Sequence, residues 1–254
     1  MSIGHIQRSV RTTERKKDLP SVEPDAASGD TATIRTSRLF QGLSKAELEV
    51  ILRSALRRTY TANSIVAEQG NAADRLFLLV KGSARHFFVS PGGQQVYLFW
   101  LVPGDIFGGT SLLTEPSQFI VSTEMATEGV ALVWQRDVIR SLAAAYPRLL
   151  ENGLSIACDY LVWYLATHLS LVCHSARERL AHVLVSLASG IGRLTASGID
   201  LHITNEQLAN TANLTPFTVS RLLNEWQRDR VLAKSRGRIR LMDPAGLCRV
   251  STHV

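Results

Sequence analysis

One stretch constrains the fold more than any other: Ile203 to Trp226, ITNEQLANTANLTPFTVSRLLNEW, specifies two short helices and the corner between them. Thr204 can cap the first helix, and Gln207, three residues on, can reach back to complete a capping box. Leu208 and Ala209 then face inward. At Asn213 the chain must reverse within a residue or two, and Asn tolerates left-handed backbone better than most side chains. Thr215 caps the second helix, and Pro216 stands at its first position, where a missing N–H costs nothing. Val219, Leu222, Leu223 and Trp226 recur at helical spacing and predict the packed face; Pro216, Phe217, Ser220, Arg221 and Asn224 are left on the other, with Thr218 beside the cap. Arg can grip guanine O6 and N7 in a bidentate manner, and Ser can meet phosphate or base. The pattern is that of a helix-turn-helix, although two packed helices with an ordinary solvated face would satisfy this stretch alone.

The next residues favour DNA. VLAKSRGRIRLM reads as a two-stranded hairpin with a basic, Gly-centred tip of Lys234, Arg236, Gly237, Arg238 and Arg240. Beside a recognition helix such a hairpin is a wing whose cations meet phosphates. We therefore expect Thr215, Pro216, Phe217, Thr218, Ser220, Arg221, Asn224, Lys234, Arg236 and Arg238 to form a DNA-binding surface. The net charge of +6 is permissive for an anionic partner without identifying it.

The chain as a whole, 254 residues at 45% hydrophobic and 20% charged, is ordinary globular material, enough for one and a half to two domains. Residues 1–37 are polar, with mixed charges and no apolar core, and read as a disordered leader without a signal-peptide core. His5 there is a remote candidate ligand. No later run reads as long and apolar enough to span a membrane, so a cytoplasmic protein with no membrane partner is expected. Cys158, Cys173 and Cys248 form no C-x-x-C pair and no metal spacing, consistent with reduced thiols.

Leu39, Phe40 and a Ser44-capped segment to about Leu56 predict a helical lead-in. From Arg57 to Asp137 the runs SIVAEQG, LFLLVKGSARHFFV, QQVYLFWLVPGDIFGG, STEMAT and GVALVWQ are short and closed by Gly or Pro, which predicts a compact all-β barrel or roll. Ala144 to Val172 is mostly helical. Along it Leu154, Cys158, Leu161, Leu165, His168 and Val172 alternate at intervals of four and three, the seam of a coiled coil. Ile156, Tyr160, Trp163 and Thr167 form a second apolar face that can close on the roll. A helix apolar on two sides needs two partners: a parallel dimer with each helix backed by its own roll is the economical account, and a buried core helix in a monomer the other. Ser175 can cap the next helix, placing a hinge near Cys173 to Ser175. Arg193 to Leu201 reads as a loop.

Glu68-x-Gly70, LFLLVKG from Leu76 to Gly82, PGDIFG from Pro103 to Gly108, and LTPFTVSRLL from Leu214 to Leu223 together resemble the Crp/Fnr family of bacterial transcription regulators, from Leu39 onward. The resemblance implies an α+β chain with a cyclic-nucleotide-binding-like β-roll over 38–143, a dimerisation helix and hinge over 144–174, and a winged helix-turn-helix over 175–254. It also implies a homodimer on palindromic double-stranded DNA and, for an activator, contact with RNA polymerase.

The sensing cassette departs from the family. In cyclic-nucleotide members a Gly-Glu pair and a downstream Arg-Ser pair hold ribose and cyclic phosphate. Here Gly108 fits, but Gly109 replaces the Glu, and Phe119 and Ile120 stand where Arg and Ser belong. An aromatic cannot neutralise a phosphate, so conventional cyclic AMP binding is not expected. An iron–sulfur cluster would need cysteines near the start, and none precedes Cys158. The family's carbon-monoxide sensors ligate haem just after the equivalent of Phe107, where this chain has Gly108 and Thr110; a different haem or nitric-oxide site through His86 or His168 stays open, since Phe87, Tyr97, Phe99, Trp100, Phe119 and Trp163 could line a greasy roll or simply be its core. Arg85, Phe99, Gly108, Gly109, Thr110, Phe119 and Tyr164 are the candidate effector-pocket residues, for an effector left unidentified. The reader departs too: Phe217 occupies the place of the usual base-reading Glu, leaving Ser220 and Arg221 as the matches. No Ser-His-Asp, paired-carboxylate, phosphate-loop or metal constellation stands at usable spacing, so an enzyme is not expected. The alternatives are a haem-dependent gas sensor of the same fold, and a ligand-binding regulatory subunit that docks protein instead of DNA.

Overall fold

The structure is a computed structural model that describes residues 33–93, 95–244 and 246–247. Most of the expected leader, with His5, and Cys248 lie outside the described residues.

A 3-10 turn at Arg38–Phe40 leads to helix α1, Lys45–Arg53, which opens with a capping box: the Ser44 hydroxyl accepts from Glu47 N, and the Glu47 carboxylate accepts from Ser44 N. Eight strands follow: β1 Leu56–Tyr60, β2 Ile65–Ala67, β3 Arg75–Lys81, β4 Ala84–Val89, β5 Gln95–Leu101, β6 Ile106–Phe107, β7 Ser122–Met125 and β8 Gly129–Gln135. They form two antiparallel sheets, ordered β1-β8-β3-β6 and β2-β7-β4-β5, that enclose the roll. β3 explains the unbroken apolar run LFLLV. Phe77 and Leu79 face the roll's interior with Leu101, Phe107 and Met125, while Leu76, Leu78 and Val80 face a second core made with Phe40, Ile51, Trp134 and Leu149. A strand covered on both faces has no reason to alternate. Trp134 anchors that second core by donating its indole N–H to Ile51 O at 2.9 Å.

Helix α2, Arg136–Ala145, ends at Tyr146, and the spine α3, Pro147–Cys173, begins there with Pro at its first turn. The long helix therefore starts later than Ala144, which belongs to α2. Its first half is tied to the roll. Asn152 Nδ2 donates to Leu39 O and Gln41 O at 2.8 and 2.9 Å, and Tyr160 Oη donates to Ile106 O at 3.0 Å. Ile156 lies in the roll's outer core, and Phe99 meets the edges of Tyr160 and Trp163 at 5.2 and 5.1 Å between ring centres. The expected roll-facing side is thus occupied from Ile156 to Trp163. One expectation is overturned: at 27 residues α3 is long and apolar enough, by length and composition, to cross a membrane.

Ser175 caps α4, Ala176–Ile191, and Glu178 closes that capping box. Arg193 to Leu201 is not a loop. β9 Arg193–Thr195 and β10 Gly198–His202 form a hairpin that joins β11 Leu232–Ser235 and β12 Arg238–Leu241 in a third antiparallel sheet, ordered β11-β12-β10-β9. Gly198 makes this possible. Its φ is +132°, and a Cβ there would stand 2.1 Å from Leu241 O, so only glycine lets the hairpin close on β12. Between β10 and β11 lie α5, Asn205–Ala212, and α6, Pro216–Arg228. Leu180, Leu184, Leu208, Ala209, Val219, Leu222, Leu223 and Trp226, with Leu232, Ile239 and Leu241 from the sheet, form the third core.

Candidate nucleic-acid interface and sensor region

The turn between α5 and α6 forms as its residues dictate. Thr204 and Gln207 exchange their capping bonds at 3.2 and 2.9 Å, Asn213 sits at φ +50°, and the Thr215 hydroxyl accepts from Thr218 N at 3.1 Å. Val219, Leu222, Leu223 and Trp226 are buried, which aims the rest of α6 outward. Pro216, Arg221 and Asn224 are exposed, Thr218 and Ser220 half-buried, and Phe217 is 79% exposed.

Two carboxylates that residue-type reasoning passed over organise this surface. Glu225 accepts from Arg221 Nη1 at 2.7 Å and from Arg177 Nη1 at 2.8 Å. Arg177 stands in the first turn of α4, next to the expected hinge, and its guanidinium lies 5.5 Å over the Trp226 ring. The exposed Arg221 is thereby linked to the expected hinge through one side chain. The spacing of Arg221 and Glu225, four apart on one helix, was a readable signal. Asp200 had no such signal, because its segment resembled a loop. On β10 it is 2% exposed and holds both Arg238 and Arg240, whose hydrogen bonds keep its carboxyl well below the usual carboxylate range. Arg238 is therefore anchored inside the wing sheet. Lys234 and Arg236 have no carboxylate partner among the described residues.

The seven candidate effector-pocket residues do not form one site. Gly108 is left-handed at φ +76°, and a Cβ there would lie 2.5 Å from Arg75 O and 3.3 Å from the Phe119 ring. Phe119 is buried, 6.5 Å from Phe77, which stacks on Phe107 at 4.5 Å. The aromatic that replaces the phosphate-binding Arg thus fills the roll, while Ile120 is 69% exposed and Gly109 and Thr110 lie in the 3-10 turn Gly109–Leu112. Arg85 offers no substitute cation. Strand alternation turns it away from the interior, where it pairs with Glu124 at 2.9 Å and lies 4.6 Å over Tyr97. A cyclic phosphate would meet aromatic rings and no free cation there, so these residues do not fit that group. His86 does face inward. Burial pushes its pKa down to about 4, its Nδ1 meets Thr123 Oγ1 at 3.0 Å, and Phe107 packs edge-on at 6.3 Å. His86 is thus engaged within the core, and His168 is exposed on α3. Among the described residues no group of three or more His, Cys, Asp or Glu side chains could hold a metal.

Phe99 and Tyr164 instead line a cavity of about 640 Å³ between β5, α3, α4 and the end of α5. The seam residues form a single exposed stripe on the far side of α3: Leu154, Cys158, Leu161, Leu165, His168 and Val172 are all open, Leu154 at 65% and Val172 at 72%.

Residues 57–146 match the cyclic nucleotide-binding domain, and residues 178–250 match the Crp-like helix-turn-helix domain. The chain is 27% identical over 223 residues to the cyclic AMP receptor protein of Thermus thermophilus, covering 84% of this chain and 95% of that one. It is 23% identical over 202 residues to the anaerobic regulatory protein of Bacillus subtilis, covering 75% and 82%. The solved structure of FixK2 from Bradyrhizobium japonicum shares the fold, with a TM-score of 0.68 at 20% identity over 79% of this chain and 98% of that one. With both domains present in this order, joined by one long helix, the protein belongs to the Crp/Fnr family of transcription regulators.

Proposed function

We propose that the protein acts as a homodimer that reads a palindromic operator in cytoplasmic double-stranded DNA, and that its effector is not a conventionally bound cyclic nucleotide. The outward face of α6 carries the reading: Phe217, Ser220, Arg221 and Asn224 are presented together, free of the protein's own core. Arg221 reads a guanine, and Phe217 offers apolar contact to a thymine methyl where a Glu would accept from cytosine N4. Lys234 and Arg236 meet phosphate. The exposed stripe of α3 is covered by the same stripe of a second copy, which sets the two recognition helices about 34 Å apart, one duplex turn. Conformational change passes through the hinge near Ser175, with Arg177 and Glu225 linking it to Arg221. An activator of this kind also contacts RNA polymerase.

The test is duplex binding measured across a salt series. Affinity that falls linearly on a log–log plot marks counterion release and a DNA partner; salt-insensitive binding would favour the protein-docking alternative. On a selected operator, Arg221→Ala is expected to lose about 1–3 kcal/mol of discrimination at the guanine position. Full retention of sequence discrimination by that variant would overturn the assignment.

A further inference from the structure

The cavity between the roll, the spine and the reader has the shape and lining of a ligand site. Its volume of about 640 Å³ falls in the range that encloses drug-sized molecules, about 300–1,000 Å³. One wall is aromatic: Trp163 stands edge-on between Phe99 and Tyr164, at 5.1 and 5.2 Å, and Trp100 continues it. The facing wall is aliphatic, from Val183, Leu187 and Ile191 of α4. Two apolar walls of this kind select a flat molecule. Trp100 lines the cavity, and its indole N–H is buried with no hydrogen-bond partner among the described residues. A buried donor left unmade is costly, and an acceptor on a ligand would relieve it.

The polar end of the cavity is where movement would be generated. Arg179 donates from Nε to Ala212 O at 3.2 Å, at the end of α5, and from Nη1 to His174 O at 3.1 Å, at the hinge. It therefore ties the corner of the reader to the end of the spine, and His182 and Asn213 stand beside it. Trp163, Thr167 and Ser170 lie about half a helical turn from the seam residues on α3, so pairing of two spines leaves this side free. The roll's interior, by contrast, is filled by Phe77, Phe107 and Phe119.

We propose that this interdomain cavity is the effector site, and that it takes a planar aromatic compound bearing a hydrogen-bond acceptor. The inference rests on the regulator reading above. The acceptor meets the Trp100 N–H or competes for Arg179, and the ring fills the slot between α3 and α4, which changes how the reader sits on the spine. A ligand shifts such an equilibrium only by its differential affinity for the two arrangements.

The test uses the full-length protein and 1-anilinonaphthalene-8-sulfonate, an aromatic anion with a flat naphthalene ring, in a fluorescence titration paired with duplex binding. Expected is saturable binding of one probe per protomer, weakened at least tenfold in Ser186→Trp, which fills the cavity from the exposed side of α4, and severalfold in Trp100→Phe, which removes the donor together with part of the indole ring. The probe is expected to change wild-type duplex affinity by about fivefold or more and to leave that of Ser186→Trp unchanged. Leu161→Ala, on the seam, controls for probe held by the exposed stripe and is expected to bind it as the wild type does. Absent saturable binding, equal binding by Ser186→Trp and wild type, or probe saturation without any change in duplex affinity would each overturn the proposal. Loss of salt-dependent duplex binding in unliganded and probe-bound protein alike would instead overturn the regulator reading, and the fluorescence titration would still decide the site.

Discussion

Single residues decide what the roll and the reader can hold. Phe119 is part of the roll's core, and Gly108 leaves the space into which its ring edge fits. His86 is carried in the same core with its pKa pushed down to about 4 by burial. The folded state thus favours the neutral ring relative to the unfolded chain, whose His titrates near 6.5. Stability from this group is complete above about pH 6.5 and is lost as pH falls toward 4, by about 3 kcal/mol in all. Urea unfolding between pH 7 and 4.5 should show that decline, and His86→Gln should flatten it. At the reading surface Glu225 restrains Arg221. Glu225→Gln is expected to raise non-specific duplex affinity by removing an anion, while the ratio of specific to non-specific binding falls; an unchanged ratio would show that the pair does not organise Arg221. The pair is partly exposed, so its effect on stability should stay within about 1 kcal/mol.

Among the elements, α3 concentrates the unresolved demand for burial. Its inner face is met by Ile106, Phe99 and the N-terminal turn, but the stripe from Leu154 to Val172 has no cover among the described residues. A second copy meeting it in parallel would place each seam residue opposite its own equivalent. Two outcomes follow for the solution state. Leu161→Glu together with Leu165→Glu should convert a dimer to a monomer in sedimentation experiments, since each adds a like-charge pair at the axis. Mild oxidation should crosslink wild-type dimers through Cys158, because facing seam positions approach within disulfide reach. Crosslinking that persists in Cys158→Ser would place the seam elsewhere. The same helix shows why the sequence reading found no candidate span where length and composition allow one: a membrane span and a helix with two apolar faces share both properties. The β9–β10 hairpin was missed for a related reason. Its strands are short and polar, and they become strands only because β12 supplies the third partner and Gly198 permits the approach.

For the whole molecule, the proposed dimer makes the distance between two readers the functional variable. If the paired helices span one turn, an operator whose half-sites are moved apart by five base pairs, half a turn, should lose specific binding, whereas a full-turn insertion should restore part of it at the cost of protein distortion. Gel-shift titration of the three duplexes would check this. Much of the machinery was legible beforehand, because it rests on local rules. The capping boxes at Thr204, the left-handed Asn213, Pro216 at a helix start and the buried stripe of α6 are each decided within a few residues. The exposed apolar stripe of α3 was legible from spacing alone. What spacing could not supply were contacts between segments far apart in the chain. Asp200 binding Arg238 and Arg240, Glu225 joining Arg177 to Arg221, and the separation of Arg85 from Gly108 all depend on which strands become neighbours. The cavity likewise is bounded by four elements, none of which encloses space by itself. The order of residues determined the parts and their outward chemistry, since helix signals and strand periods act over short range. Only the folded chain decided where charge is neutralised and where space is left, since those depend on long-range packing.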